Sequence, residues 1–547
     1  MTQPPFGQQP PHQGPGAPPP PPGYGPPSQG QPAPPPGYGQ PPPPPGYGQP
    51  PPPPGYGQGQ QGYPQQGQWG QAPMPPAKKS GGAGMWIAFG AAGVVGLGLL
   101  GGGALFAFSK VNGGGPQPES ALPSTAVAFA KVDLDPSADQ KVDAFRFARK
   151  FPGAQDPLSG VDENGDPRKE IFESVQDDGG FKDVDYDADI EPWLGQRFGV
   201  ALLPGDEGAD PDVVLAFAST DEAAAKDGLA KATRDGGYCS VQEDYALCGE
   251  EQSIVDKAVN DAASQALADK DTFSQDMDDL GEDGLVTAWM DGTALSEFTM
   301  GPDADGQAAE GRLAMALRFD GPTLELAGRA NGLPDGSVPS GEGTSVEDLP
   351  ADTIGAFGVA GLDEALTNAW PQIDSTMEDL VGSDWTRGKD DFTRETGVSL
   401  PDDVAKAVGS ETTVAVGANG PEPQIALKTN GDRAVIDKLV GMDAGGNSGI
   451  SVKDGKDDTV VVASSDTYAD TVGSQGGLGD SDAFEDAVPD ADDASTIGYV
   501  DVTKAIEAFG EELDDEERKN LEPLSAVGFS VAGEDDHADF RLRLTTK

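Results

Sequence analysis

Histidine is almost missing from this chain: His12 and His537 are the two in 547 residues. A zinc site built on imidazole needs several such ligands, and a Ser-His-Asp triad needs one in the right place, so both chemistries lose their central residue. Cysteine is as scarce, with Cys239 and Cys248 alone and no Cys-x-x-Cys spacing for a redox role. There is no Gly-x-Ser-x-Gly, no Walker loop and no His-Glu-x-x-His. No cofactor is expected.

Acidic residues are absent from residues 1–84, which are almost wholly Pro, Gly, Gln, Tyr and Ala with two charges, Lys78 and Lys79. So few apolar side chains do not offset the entropy of ordering, and the stretch reads as a disordered tail with polyproline II character. It repeats "PPPPPGYGQ": Tyr47 and Tyr56 are nine residues apart, and Tyr24 and Tyr38 sit in variants of the unit. Such a tail is either a flexible linker or a multivalent weak binder of cytoplasmic partners through Pro-rich grooves or Tyr stacking.

Basic residues are scarce in the remainder. All 92 acidic residues lie beyond Lys110, against 33 of the 35 basic ones, a formal charge of −59 for residues 110–547. Such a surface repels nucleic acid and anionic lipid headgroups, so no nucleic-acid partner is expected.

Between these zones charge vanishes for 24 residues, Met85 to Phe108. At ~1.5 Å per residue this run crosses a ~30 Å hydrocarbon core. Trp86 suits one interface and Lys110 the other. A cleaved signal peptide would have a shorter apolar core nearer the N-terminus. Residues 85–109 are therefore expected to form a transmembrane helix in contact with the lipid bilayer. Lys78 and Lys79 place the tail in the cytoplasm by the positive-inside rule, and the acidic mass outside. The expected location is the cell membrane, single-pass. Gly98 and Gly102 have the spacing that packs two spans, but in so Gly-rich a run it arises easily and the oligomeric state is not read from it.

The acidic region says one phrase twice. "LADKDTFSQDM" (267–277) and "LGDSDAFEDAV" (478–488) share Asp-x-Asp-x-Phe, and beyond each Phe an apolar run ends in Asp, "LVTAWMD" and "STIGYVD". Upstream lie two hairpin patterns, "GYCSVQEDYALCG" and "ISVKDGKDDTVVVAS", the second with Asp454-Gly455 as its turn signal. Each is followed by a helical stretch: one is apolar at Ile254, Val255, Ala258, Val259 and Ala262, and the other has Ser464 or Ser465 as N-cap. "LPSTAVAFAKV" parallels "LPADTIGAFGV", "LGQRFGVALLP" parallels "VGSETTVAVG", and "LAMALRFDGPTLELAGRA" parallels "SAVGFSVAGEDDHADFRLRL".

Two copies of one unit are expected, 121–331 and 345–547, after a 110–120 linker and joined by a 332–344 linker rich in Gly, Pro and Ser. The fold class expected is α+β: mainly antiparallel sheet in each unit, with helices covering one sheet face. Phe273 should match Phe484, Trp289 match Tyr499, and Asp291 match Asp501. The phrase's first Asp should cap a short helix that Phe anchors, and the strand-end Asp should cap the next helix. The copies should diverge at 154–190, whose nearest counterpart is "TMEDLVGSDWTRGKDDF".

In the first hairpin the register sets Ser240 across from Leu247, Val241 across from Ala246 and the cysteines directly opposite, so a Cys239–Cys248 disulfide is expected in an oxidising exterior. "DENGDPRKEIFE" puts Asp162, Asn164, Asp166 and Glu173 at positions one, three, five and twelve of a calcium loop. Pro167 occupies the place of the turn glycine and Lys169 that of a packing residue, so this is a weak candidate beside a plain polar loop.

"LPSTAVAFAKVDLDPSADQKVDAFRFARKFP", "DIEPWLGQRFGVALLP" and "DTFSQDM…AWMD" resemble a family of actinobacterial membrane-anchored proteins. That family has an exported domain of unknown function, one span and a Pro-, Gly- or Gln-rich cytoplasmic tail. The resemblance implies topology and compartment, and supplies no reaction or ligand. The function expected is a non-catalytic binding or scaffolding module for an envelope ligand or protein, with the cleft between the two halves as the surface to search. The rivals are an envelope hydrolase using carboxylates alone and a sensor coupling the exported domain to the tail.

Overall fold

The computed structural model describes residues 115–547, apart from 152–165, 177–183, 206–210, 296–310, 335–342, 443–448 and several isolated positions. The tail and the expected span at 85–109 lie outside the described residues. No helix among the described residues is long and apolar enough to cross a membrane.

The first half runs β1 (Ala128–Asp133), α1 (Ala138–Ala148), β2 (Leu194–Leu203), β3 (Asp212–Ser219), α2 (Glu222–Ala232), β4 (Tyr238–Val241), β5 (Tyr245–Gly249), α3 (Gln252–Ser264), α4 (Asp271–Leu280), β6 (Val286–Asp291), β7 (Arg312–Asp320) and β8 (Thr323–Asn331). The second runs β9 (Gly355–Ala360), α5 (Leu362–Val381), α6 (Ser383–Thr396), α7 (Asp402–Val408), β10 (Glu411–Asn419), β11 (Glu422–Thr429), α8 (Arg433–Met442), β12 (Ser451–Asp454), β13 (Val460–Ala463), α9 (Asp466–Ser474), α10 (Asp482–Ala487), β14 (Thr496–Asp501), α11 (Val502–Phe509), α12 (Asp515–Leu521), β15 (Leu524–Glu534) and β16 (His537–Thr546).

The strands form one 16-stranded antiparallel sheet in an α+β fold. From the centre outward the first half reads β8-β7-β6-β1-β2-β3-β5-β4 and the second β16-β15-β14-β9-β10-β11-β13-β12. Adding eight to each strand of the first series gives the second. β8 and β16 join the halves in one ladder, from Leu324 opposite Leu544 to Asn331 opposite His537.

One sheet face is packed in both halves. In the first, Phe129, Phe273 and Trp289 form its core under α3 and α4; in the second, Phe484, Ile497 and Tyr499 do so under α9 and α10. The helices dock here because their apolar spacing follows the 3.6 period: Val255 and Ala258 of α3 are buried, as are Ala469 and Val472 of α9.

The expectation that helices cover one face alone is corrected. α1, α2, α7 and α8 pack on the opposite face. The strands carry the reason. "VVLAFAS" and "RLAMALRF" are nearly continuous in apolar residues, the pattern of a strand with two apolar sides.

Two local details also differ. The second hairpin exists, but its left-handed residues are Asp457 and Asp458, not Gly455. Gly455 instead leaves room for the Thr459 hydroxyl, 2.6 Å from where a Cβ would stand. In the repeated phrase the first Asp does not cap. Ser481 caps α10, its side chain accepting from the Phe484 N–H, and Lys270 holds the N-cap place of α4 without a side-chain bond. Each helix starts two residues after that Asp, beyond the reach of its side chain.

Candidate functional site

The matched phrases lie in matching surroundings. Phe273 on α4 meets Trp289 on β6 edge to face at 5.4 Å, and Phe484 on α10 meets Tyr499 on β14 likewise at 5.1 Å. All four are buried. Asp291 accepts the Ala294 N–H at 3.0 Å, and Asp501 accepts the Lys504 N–H at 2.9 Å, each at a helix start. These residues build the packed face.

Cys239 and Cys248 are bonded to each other across β4 and β5, in the register read from the sequence. Of the calcium candidates, Asp162 and Asn164 lie outside the described residues. Asp166 is engaged: both its oxygens bond Arg168, and Oδ2 also accepts the Tyr186 hydroxyl at 2.7 Å. Burial works against the Asp166 charge, but the guanidinium and hydroxyl hold its carboxyl below the usual range. Glu173 is exposed. No group of three or more metal-ligating side chains occurs among the described residues. His537 sits at the start of β16, beside Asp536.

A cleft of about 350 Å³ opens on the packed face where the halves meet, lined by Leu280, Glu282, Arg318, Asp320, Glu325, Arg541 and Arg543 among others. Its buried charges are paired. Arg318 donates to Glu325 Oε1 at 2.9 Å, and Arg543 donates to Glu325 Oε2 at 2.7 Å and to Asp320 at 2.9 Å. Arg541 is paired with Asp490. Both oxygens of the buried Glu325 are thereby occupied, and one guanidinium bridges the cleft's two strand carboxylates.

The opposite face has a different character. One row of paired residues crosses every strand without a polar side chain. In the second half it reads Val452, Val462, Leu427, Val414, Phe357, Gly498, Phe529 and Leu542. In the first it continues through Leu326, Leu317, Val286, Val132, Phe198, Phe217, Ala246 and Val241.

Cover over this face is uneven. Tyr186, Trp193 and Leu229 close over Phe198 and Phe217. Ala144 and Phe147 of α1 close over Val286, Phe319, Leu324 and Leu544. Val435 and Ile436 of α8 close over Val452, Val460 and Val462. Between them the second half is bare: Phe357 is 50 % exposed, Ile425 53 %, Val500 43 % and Leu542 41 %. α5 and α6 bury no residue, and Ile373, Leu380 and Val381 of α5 are exposed as well. Contiguous exposed apolar surface of this extent commonly accompanies interaction sites. The signal was present in the sequence as strands apolar on both sides, but which stretch stays uncovered depends on where the helices dock.

Residues 89–246 match a family described as "Protein of unknown function (DUF3352)". This agrees with the resemblance to a domain of unknown function and spans part of the first half. No curated protein matches the chain. A solved structure, crystal form III of TP0453, aligns at 9 % identity over 40 % of this chain and 80 % of that one, with a TM-score of 0.20, too slight a likeness to bear on the fold.

Proposed function

We propose that this chain is a single-pass envelope protein whose exported domain is two copies of one unit and acts as a non-catalytic binding module for an apolar ligand. The observation that carries the reading is the bare apolar face of the second half, around Phe357, Ile425, Val500 and Leu542. The equivalent strand orders support the duplication. The uncharged run from Met85 to Phe108, the Lys78–Lys79 pair and the resemblance to actinobacterial anchored proteins support the topology, with the tail in the cytoplasm. The Cys239–Cys248 bond suits an oxidising exterior. Against the carboxylate hydrolase stands the seam cleft: glycoside hydrolysis needs one carboxyl free to give a proton, and Glu325 has both oxygens in ion pairs.

An environment-sensitive apolar dye tests the binding surface. Full-length protein should enhance its fluorescence, and Phe357→Ser with Ile425→Ser should remove most of the enhancement while leaving the thermal transition in place. Unchanged dye binding in that variant would remove the basis of the reading. Protease added to wall-stripped cells tests topology: it should digest the region beyond Lys110 and spare the tail.

A further inference from the structure

At the middle of the bare face β9 and β14 pair with Gly355 opposite Val500 and Phe357 opposite Gly498. The glycines lie on one diagonal and the two exposed side chains on the other. Glycine inside a strand weakens it and commonly marks a place where another group comes close. Neither of the usual local reasons for glycine applies. Both backbones lie outside the left-handed region. A Cβ at either position would meet nothing nearer than 3.6 Å, an ordinary contact. What the two glycines leave is room: a groove floored by backbone and walled by Phe357, Val500, Phe529 and Val416. It continues toward Ile425 on β11 and Leu542 on β16. Those six strands span about 24 Å at ~4.8 Å per strand.

The floor's N–H and C=O groups are paired in the ladders of β9, β10, β14 and β15. The exposed walls carry no polar atom. An extended peptide would therefore leave its own polar backbone without partners, at a cost of desolvation. A second copy of the chain would bring a further −59 of charge against a like surface. A hydrocarbon chain meets neither penalty. Five residues, 110–114, separate the proposed span from Gly115, a reach of at most about 18 Å. The tether meets the domain at Gly115, against Arg197 on the packed face of the first half, so the acyl chains of the adjacent leaflet are the apolar chains nearest the domain as a whole, while the groove lies on its other face.

We infer that the Gly355–Gly498 groove takes the acyl chain of a membrane lipid, with an uncharged or zwitterionic headgroup left outside among the acidic residues. This rests on the binding reading above and names its ligand.

The test uses the full chain in nanodiscs of zwitterionic lipid carrying a photoactivatable group in the acyl chain. Adducts should map to β9 and β14, at or beside Phe357 and Val500. Gly355→Val with Gly498→Val fills the groove with residues suited to a strand. It should lower those adducts about tenfold, the effect of excluding roughly two methylenes, while adducts in the span stay constant. Gly498→Ala, for which there is space, should give a smaller loss and guards against misfolding of the double variant. Adducts confined to the span, or equal in all three proteins, would overturn the inference. Cross-links between two protein copies at these residues without lipid adducts would overturn it in favour of self-association. If the dye still binds at Phe357 and Ile425 while lipid adducts are absent, the binding face stands and the lipid falls; if both are absent, both fall.

Discussion

The two halves share a strand order and differ in what they do with each face. On the packed face the first half holds buried charge. Lys131 bonds Glu119 and Asp283, Arg197 bonds Asp133, and Asp276 gathers Arg312, Asn331 and the Trp289 N–H. Burial opposes the Lys131 charge, but its two carboxylates raise its pKa above the usual lysine value. The second half fills the same region mainly with small and hydroxyl residues, such as Gly358 against Val346 and Ser345 bonded to Thr413 at 2.9 Å, and keeps one buried lysine there, Lys428 opposite Thr413, 3.8 Å from Asp348. On the opposite face the roles reverse: the first half is roofed by α1, α2, Tyr186 and Trp193, and the second, covered by α7 and α8 at its outer edge, is open around Phe357, Ile425, Val500 and Leu542. One topology thus serves a stiffly specified half and an accessible one. The same β1-to-β2 connection that seats Phe147 in a core becomes, between β9 and β10, the helices α5 and α6 with nothing buried, followed by α7, which buries Ala405 and Ala407.

The sharpest way to break this comparison is to remove one partner from each packed face. Arg197→Met leaves Asp133 buried without its guanidinium and should cost about 3–5 kcal/mol. Thr413→Val removes one neutral hydrogen bond and should cost about 1 kcal/mol. Urea unfolding of both variants checks the contrast, and equal losses would end it. Next comes the other face. Phe217, roofed and edge to face with Phe198, should cost about 3 kcal/mol on change to Ser, whereas Phe357→Ser should cost under about 1 kcal/mol, because half of that residue already meets water. The midpoints of the two denaturation curves decide it. The third contrast concerns the hairpins. Reducing Cys239–Cys248 should cost about 2–3 kcal/mol in the chain-entropy account. Hydrogen exchange should quicken at residues 238–249 toward the rate at 451–463, which has no bridge, and leave the latter unchanged.

Much of this was legible beforehand for a physical reason. Cross-strand register follows from residue counting once a turn is placed, so Cys239 and Cys248 could be set opposite each other from sequence. Phe273 and Phe484 could be aligned because each is the single aromatic residue on a short helix, in the same phrase. The helix caps were less legible: Ser481 and Lys270 sit between two Asp residues, and choosing among three adjacent polar positions needs backbone angles. The bare face was not legible. Phe217 and Phe357 both stand in apolar strands, and nothing in either stretch says that Trp193 and Tyr186 close over one of them alone.

The sequence by itself determined the zones of the chain, the register of the first hairpin and its disulfide, because each depends on residues near one another along the chain. Tertiary structure alone decided that β8 and β16 fuse the halves into one sheet, that Arg318, Glu325 and Arg543 spend their charges on one another at that seam, and that the face around Gly355 and Gly498 stays open. Those outcomes depend on contacts between residues as far apart as Glu325 and Arg543, and on helices docking over some strands and missing others. Packing of that kind is settled by the shape of the whole fold.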